Sequence, residues 1–126
     1  MFSHVMVGTN DLDRAKGFYD KVLGTLGVPP ARVDGHRIFY FTPGGIFSVS
    51  KPIDGQPATT ANGGTIGFNF DSTEEVDAWQ TRGADAGGTA IEDPPGPREG
   101  PAGKLYLAYL RDPDGNKLCA LHRMAS

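Results

Sequence analysis

The sequence holds one cysteine, Cys119, and three histidines, His4, His36 and His122, and these are the side chains best suited to do chemistry. A thiol acts as a nucleophile or a redox-sensitive group when its pKa is depressed. An unpaired cysteine is more often a small buried hydrophobe, so Cys119 carries both readings. A lone cysteine also excludes an internal disulfide framework and any zinc site built from clustered cysteines. His4 lies in a short β-like run, where it either hydrogen-bonds a ligand or sits at the core edge satisfied by a neighbour. His36 follows Gly35 at a turn and His122 is near the C-terminus, so both read as surface or edge residues. Arg37, Tyr40, Tyr106, Tyr109 and Arg111 put polar tips on strand-like segments. Aromatic walls with a few placed polar groups are what a small-molecule pocket requires. Strand alternation sends roughly half of such a set to the opposite face. Arg98 and Glu99 stand in a Gly/Pro-rich stretch, from which they either close over a bound molecule or stay solvated.

Those residues sit in a chain of 126 with 38% apolar and 21% charged side chains, enough for a hydrophobic core and the size of one ordinary domain. Twelve Lys and Arg against fifteen Asp and Glu leave a formal charge of -3. With no local cluster of Lys or Arg either, a nucleic-acid partner is excluded. The N-terminus lacks a basic region followed by an apolar run, and no window approaches a membrane span. A soluble, cytoplasmic protein without a membrane partner is the expectation.

Two long connections stand out in a chain with 18 glycines and 10 prolines. Gly83 to Gly103 and Pro52 to Gly64 read as irregular loops, which in compact domains are linkers or binding loops. Between them the pattern is regular. Phe2 to Val7 is β-like. Asn10-Asp11 supplies N-cap oxygens for a helix whose apolar positions are Leu12, Ala15, Phe18, Tyr19, Val22, Leu23 and Leu26, ended by Gly27 and Pro29-Pro30. Arg37 to Phe41 and Ile46 to Ser50 form a hairpin about Pro43-Gly44-Gly45. The order then repeats. Thr65 to Phe70 is β-like, Ser72-Thr73-Glu74-Glu75 is a capping box ahead of Val76 and Trp79, and Ala84 to Gly88 ends that helix. Lys104 to Leu110 and Lys117 to His122 flank Asp112-Pro113-Asp114-Gly115-Asn116, which is turn chemistry throughout. Laid on each other, the halves place His4 on Thr65, Phe18 on Trp79, Gly27 on Gly88, Gly44 on Gly115 and Ser48 on Cys119. Core packing accounts for Phe18 and Trp79.

The expected fold is therefore α+β: two βαβββ units forming curved mixed sheets around a cleft. The second strand of each unit is the least marked. The units span about 1–51 and 64–126 of a single domain 1–126, joined by linker 52–63.

In this arrangement the chain resembles the vicinal oxygen chelate superfamily, which includes glyoxalase I, bleomycin-resistance proteins and extradiol dioxygenases. The matching pieces are Ser3-His4-Val5-Met6-Val7, Asn10-Asp11-Leu12-Asp13-Arg14-Ala15 and Phe18-Tyr19 in the first half. Asn62-Gly63-Gly64-Thr65-Ile66-Gly67-Phe68 and Arg111-Asp112-Pro113-Asp114-Gly115-Asn116-Lys117 match in the second. Enzymes of the family hold a divalent metal with His or Gln on the first strand, Glu on the last strand of the first unit, and His or Glu and then Glu at the same places of the second. The resemblance puts His4, Ser48, Thr65 and Cys119 at those places, and only His4 is a match. Neutral hydroxyls are poor ligands for zinc or nickel. The metal-bound Glu that serves as base in glyoxalase-type isomerisation falls at Ser48 or Cys119, so the resemblance supplies the scaffold and withdraws that chemistry. The family register also turns His4 and Met6 into the cleft, with Val5 and Val7 against a helix.

The expectation is a small-molecule-binding protein of this type without the usual catalytic metal and with no cofactor. Its ligand pocket draws on His4, Met6, Ser48, Thr65, Cys119, Tyr109 and Arg37, and the family implies a homodimer. One alternative is a metal-dependent lyase or isomerase with a rearranged site using His4 and Cys119. Another is an interaction protein whose cleft has become a dimer surface.

Overall fold

A computed structural model describes residues 1–101 and 103–125. The first unit comprises β1 (His4–Gly8), α1 (Leu12–Gly24), β2 (Arg32–Asp34), β3 (Arg37–Thr42) and β4 (Gly45–Ser50). The second comprises β5 (Ile66–Asn69), α2 (Thr73–Asp85), β6 (Thr89–Gly100), β7 (Gly103–Arg111) and β8 (Lys117–Arg123). Each unit is a mixed four-stranded sheet, in order β1-β4-β3-β2 and β5-β8-β7-β6. The architecture is α+β with two βαβββ units, as the pattern implies. Within each unit the first strand runs parallel to the last, and the remaining pairs are antiparallel. None of the described helices is long and apolar enough to cross a membrane.

Both helices begin where the sequence supplies a cap. The Asp11 carboxylate accepts from the Arg14 amide, and the Ser72 hydroxyl accepts from the Glu75 amide. Their apolar stripes enter one core that also takes the helix-side residues of both sheets. Aromatic rings carry that core from one unit to the next. Tyr19 lies against Phe47 with ring centroids 4.8 Å apart, and Phe47 meets Phe68 of the second unit at 5.4 Å.

The second unit departs from the pattern over Gly83 to Gly103. Residues 89–100 of that expected loop form the edge strand β6, while Ala102 lies outside the described residues. Proline is unsuited to a central strand because it lacks an N–H, yet an edge strand bonds on one side only. Here β6 pairs only with β7, and the register jumps from Ile91 to Gly96, so Pro94 and Pro95 fall in a bulge. The short edge strand β2 was equally unmarked, because its three residues are all exposed and show no alternation.

The Asp112–Asn116 turn does more than reverse the chain between β7 and β8. Asp112 is buried, and its carboxylate accepts four hydrogen bonds: from the Tyr19 hydroxyl, the Asn116 side-chain amide, and the backbone N–H groups of Asp114 and Asn116. Asn116 Nδ2 also donates to the Gly8 carbonyl at 3.0 Å. Asp114 accepts from the Thr9 hydroxyl at 2.6 Å, the Asn10 amide at 3.0 Å and the Arg14 guanidinium at 2.9 Å. The turn of the second unit is thus bonded to the end of β1 and the first turns of α1. Burial and the Asp112 carboxylate push the Tyr19 hydroxyl well above its ordinary pKa, so it stays a donor. Tyr19→Phe leaves that buried carboxylate a donor short and is expected to cost about 1–3 kcal/mol in equilibrium urea unfolding. Removing the exposed guanidinium with Arg14→Ala is expected to cost less than about 1 kcal/mol. Equal losses for the two variants would refute the assignment of Asp112 as the anchor.

Candidate functional site

Strand register sorts the candidate residues by face. In the first sheet His4, Met6, Ser48, Phe39, Phe41 and Arg37 fall on the face away from the helices, since Met6 pairs with Ser48, Ser48 with Phe39 and Arg37 with Ser50. Val5 and Val7 pack against the core on the other face. In the second sheet Gly67, Cys119 and Tyr109 form one row across β5, β8 and β7, ending at Ile91 on β6. Lys117 lies on the same face beside that row, paired with Arg111. Tyr40 and Tyr106 belong instead to the helix side. The Tyr40 hydroxyl donates to Asp20 at 2.8 Å, and that of Tyr106 donates to Asp77 at 2.8 Å.

Where the first strands of the two units approach, they bound a cavity of about 620 Å³. Leu23, Leu26, Ile46, Phe47 and Phe68 supply much of its apolar wall. His4, Thr65 and Asn69 bring polar atoms to it. His4 and Thr65, equivalent positions in the two halves, therefore meet at one site. His4 is exposed, and its Nδ1 lies 2.8 Å from the Ser3 hydroxyl. Met6, Ser48, Arg37, Cys119 and Tyr109 stand outside the cavity lining. Met6 is 44% exposed on the outer face of the first sheet. Arg37 Nε is buried with no hydrogen-bond partner among the described residues. Cys119 pairs with Gly67, itself a lining residue, and Tyr109 lies one strand further away on β7.

The four positions that hold a metal in the resembled enzymes do not make a suitable donor set here. Ser48 is fully buried, and its hydroxyl donates to the Val5 carbonyl at 2.9 Å. Thr65 offers another neutral hydroxyl. Burial pushes the Cys119 thiol up, outweighing the lowering effect of the Tyr109 hydroxyl, and Glu92 adds to the rise against Lys117 and Arg98. The thiolate that would bind a dication is thereby disfavoured. Among the described residues no three His, Cys, Asp or Glu side chains are grouped as a metal site.

The chain matches the model of the Glyoxalase/Bleomycin resistance protein/Dioxygenase superfamily over residues 1–120. It belongs to that superfamily. A glyoxalase/bleomycin resistance protein from Albidiferax ferrireducens T118 is similar at 59% identity, with 98% of this chain and 99% of that one covered and a TM-score of 0.96. A glyoxalase-related enzyme from Fulvimarina pelagi shares the fold at 22% identity, with 98% and 88% covered and a TM-score of 0.75. A lactoylglutathione lyase from Agrobacterium tumefaciens shares it at 23% identity, with 97% and 92% covered and a TM-score of 0.67. No curated protein matches the sequence.

Within this superfamily scaffold, one polar group was invisible to the sequence reading. Glu92 lies in the β6 bulge, and its carboxylate pairs with the Lys117 ammonium, which stands 4.9 Å from the centroid of the Tyr109 ring. Its φ of +60° is the only positive value of a non-glycine among the described residues. Nothing in the composition of a Gly/Pro-rich stretch signals such a conformation. Burial, followed by the influence of Cys119 and Glu92, raises the Tyr109 pKa as well. Cys119 is thus a shielded thiol. Iodoacetamide at pH 8 is expected to alkylate it about tenfold or more slowly in native protein than in urea. Mass spectrometry of timed samples checks this, and equal rates would contradict the thiol assignment.

Proposed function

We propose that this chain is a small-molecule-binding member of the superfamily that holds an organic ligand between its two units without the usual catalytic metal. The observation that carries the reading is the cavity of about 620 Å³ with His4 and Thr65 at its wall. Its volume lies within the ordinary range of ligand sites, and mainly apolar walls with a few polar groups give affinity and orientation respectively. The neutral hydroxyls of Ser48 and Thr65 support a metal-free site, because a dication would lack the carboxylate charge that stabilises it. A glyoxalase-type isomerisation would also lack its metal-held carboxylate base.

The same reading includes a homodimer. Met6 and Phe41 are each 44% exposed on the outer face of the first sheet. Leu105, Leu107 and Leu121 are only half-buried on the corresponding face of the second. A second copy would cover such apolar area. Cytoplasmic location belongs to this proposal too.

Thermal-shift measurements with naphthalene- and indole-sized compounds test the cavity. Binders are expected to raise the midpoint of wild-type protein and to have no effect on Thr65→Trp, in which an exposed position fills the cavity wall without disturbing the core. Calorimetric titration with zinc and nickel at micromolar concentration is expected to show no stoichiometric uptake. One ion per chain, lost in His4→Ala, would overturn the metal-free reading in favour of the lyase or isomerase alternative.

A further inference from the structure

The cavity between the units is lined without carboxylates, ammonium groups or guanidinium groups. Asp, Glu, Lys and Arg make up 21% of the chain, yet among the described residues none of them lines it. Part of its polar side-chain capacity is already engaged. The Thr42 hydroxyl donates to the Gly45 carbonyl at 2.7 Å, and the Ser3 hydroxyl lies 2.8 Å from His4 Nδ1. An ion brought into such a place loses hydration and meets no opposite side-chain charge.

What the cavity does offer is main chain. Successive residues of a strand turn their N–H and C=O groups to opposite edges. At the two ends of β1, the Ser3 carbonyl accepts from the Ile46 amide at 3.2 Å and the Thr9 amide donates to the Ser50 carbonyl at 3.0 Å. Ser3, Val5, Val7 and Thr9 therefore face β4, and His4 and Met6 face the free edge. Gly8 shows the same direction, since its carbonyl accepts from Asn116 of the second unit. Just past β5 the Phe70 amide donates to the Leu121 carbonyl at 2.8 Å. Ile66 and Phe68 thus face β8, and Thr65, Gly67 and Asn69 turn to the free edge. His4, Thr65, Gly67 and Asn69 all line the cavity. Gly67 has no side chain to screen its N–H and C=O, and a Cβ placed on it would meet nothing within 4 Å.

We infer that the cavity selects an uncharged ligand bearing a carboxamide, which bonds to the free N–H and C=O of Gly67 as an added strand would, with its apolar body against Phe47 and Phe68. The inference rests on the cavity being the ligand site. It adds the chemical class of the ligand and the residue that reads it. One edge residue presents a donor and an acceptor side by side, and a carboxamide returns an acceptor and a donor. A carboxylate in that place satisfies the N–H and confronts the C=O. An ammonium does the reverse. The same pair of groups therefore rejects ions of either sign. An ester satisfies the N–H and leaves the C=O without a donor.

Four compounds with one apolar body test this: 2-naphthamide, 2-naphthoate, 2-naphthylmethylammonium and methyl 2-naphthoate, titrated calorimetrically into the full chain near neutral pH. Wild-type protein is expected to bind the amide at least about tenfold tighter than either ion, and several-fold tighter than the ester. Gly67→Pro removes the free-edge N–H without touching the bonds to β8, a change that edge strands tolerate, and is expected to weaken the amide several-fold or more. Gly67→Ala keeps the N–H and is expected to retain the wild-type order. Hydrogen exchange followed by NMR gives a readout free of substitution: saturating amide is expected to slow exchange of the Gly67 N–H in wild-type protein. An acid or amine that matches the amide would overturn the carboxamide assignment while leaving the cavity reading intact. So would a Gly67 N–H left unprotected by saturating amide, or amide affinity undiminished in folded Gly67→Pro. Failure of all four compounds on wild-type protein, or amide binding undiminished in Thr65→Trp, would count against the cavity reading itself, and the assignment falls with it. Circular dichroism of each variant shows whether a loss reflects unfolding.

Discussion

The arrangement depends on a buried carboxylate. Asp112 brings a charge into the seam between the two units, where an unpaired carboxylate would carry a large desolvation cost. Four donors surround it, and one of them, the Tyr19 hydroxyl, comes from α1 of the other unit. Asn116 extends the network to the last residue of β1, and Asp114 extends it to Thr9 and Asn10. No strand of one sheet bonds to a strand of the other among the described residues. The units are therefore joined by this polar seam and by the aromatic core, and the unpaired edges β1 and β5 are left to bound the cavity. A continuous ladder between those edges would have closed that space.

Much of this was legible because the information is local and periodic. The Asp11 and Ser72 caps, the stripes through Phe18 and Val22 and through Val76 and Trp79, and the Asp112–Asn116 turn each express a backbone requirement through nearby residues. Overlaying the halves of the sequence brings His4 and Thr65 into correspondence, and both line the cavity. The phase of a strand is harder to read. Tyr40 and Tyr109 look alike in sequence, yet Tyr40 faces α1 while Tyr109 faces outward, a distinction set by pairing partners far along the chain.

The stretch from 89 to 100 shows why composition misleads at an edge. Prolines and glycines normally argue against a strand because of what a strand must donate on both sides. At the edge of a sheet half of that demand disappears, and the bulge absorbs Pro94 and Pro95 while Arg98 satisfies the carbonyls left over. The geometry of Glu92 is a consequence of that bulge. No neighbour in sequence encodes it, so the Lys117 pair could not be foreseen from residue types.

The two sheets have diverged in what they offer at equivalent places. Ser48 and Cys119 correspond between the halves, and both are buried, hydrogen-bonded to backbone carbonyls and uncharged in their ordinary forms. Positions that could present charge to a metal have become part of the packing of their sheets. In the first unit the surrounding face is mainly apolar, with Met6, Phe39 and Phe41. In the second it gains an ammonium, a carboxylate and a phenol at Lys117, Glu92 and Tyr109. The two outer faces therefore differ in character, one mainly apolar and the other carrying a charged pair.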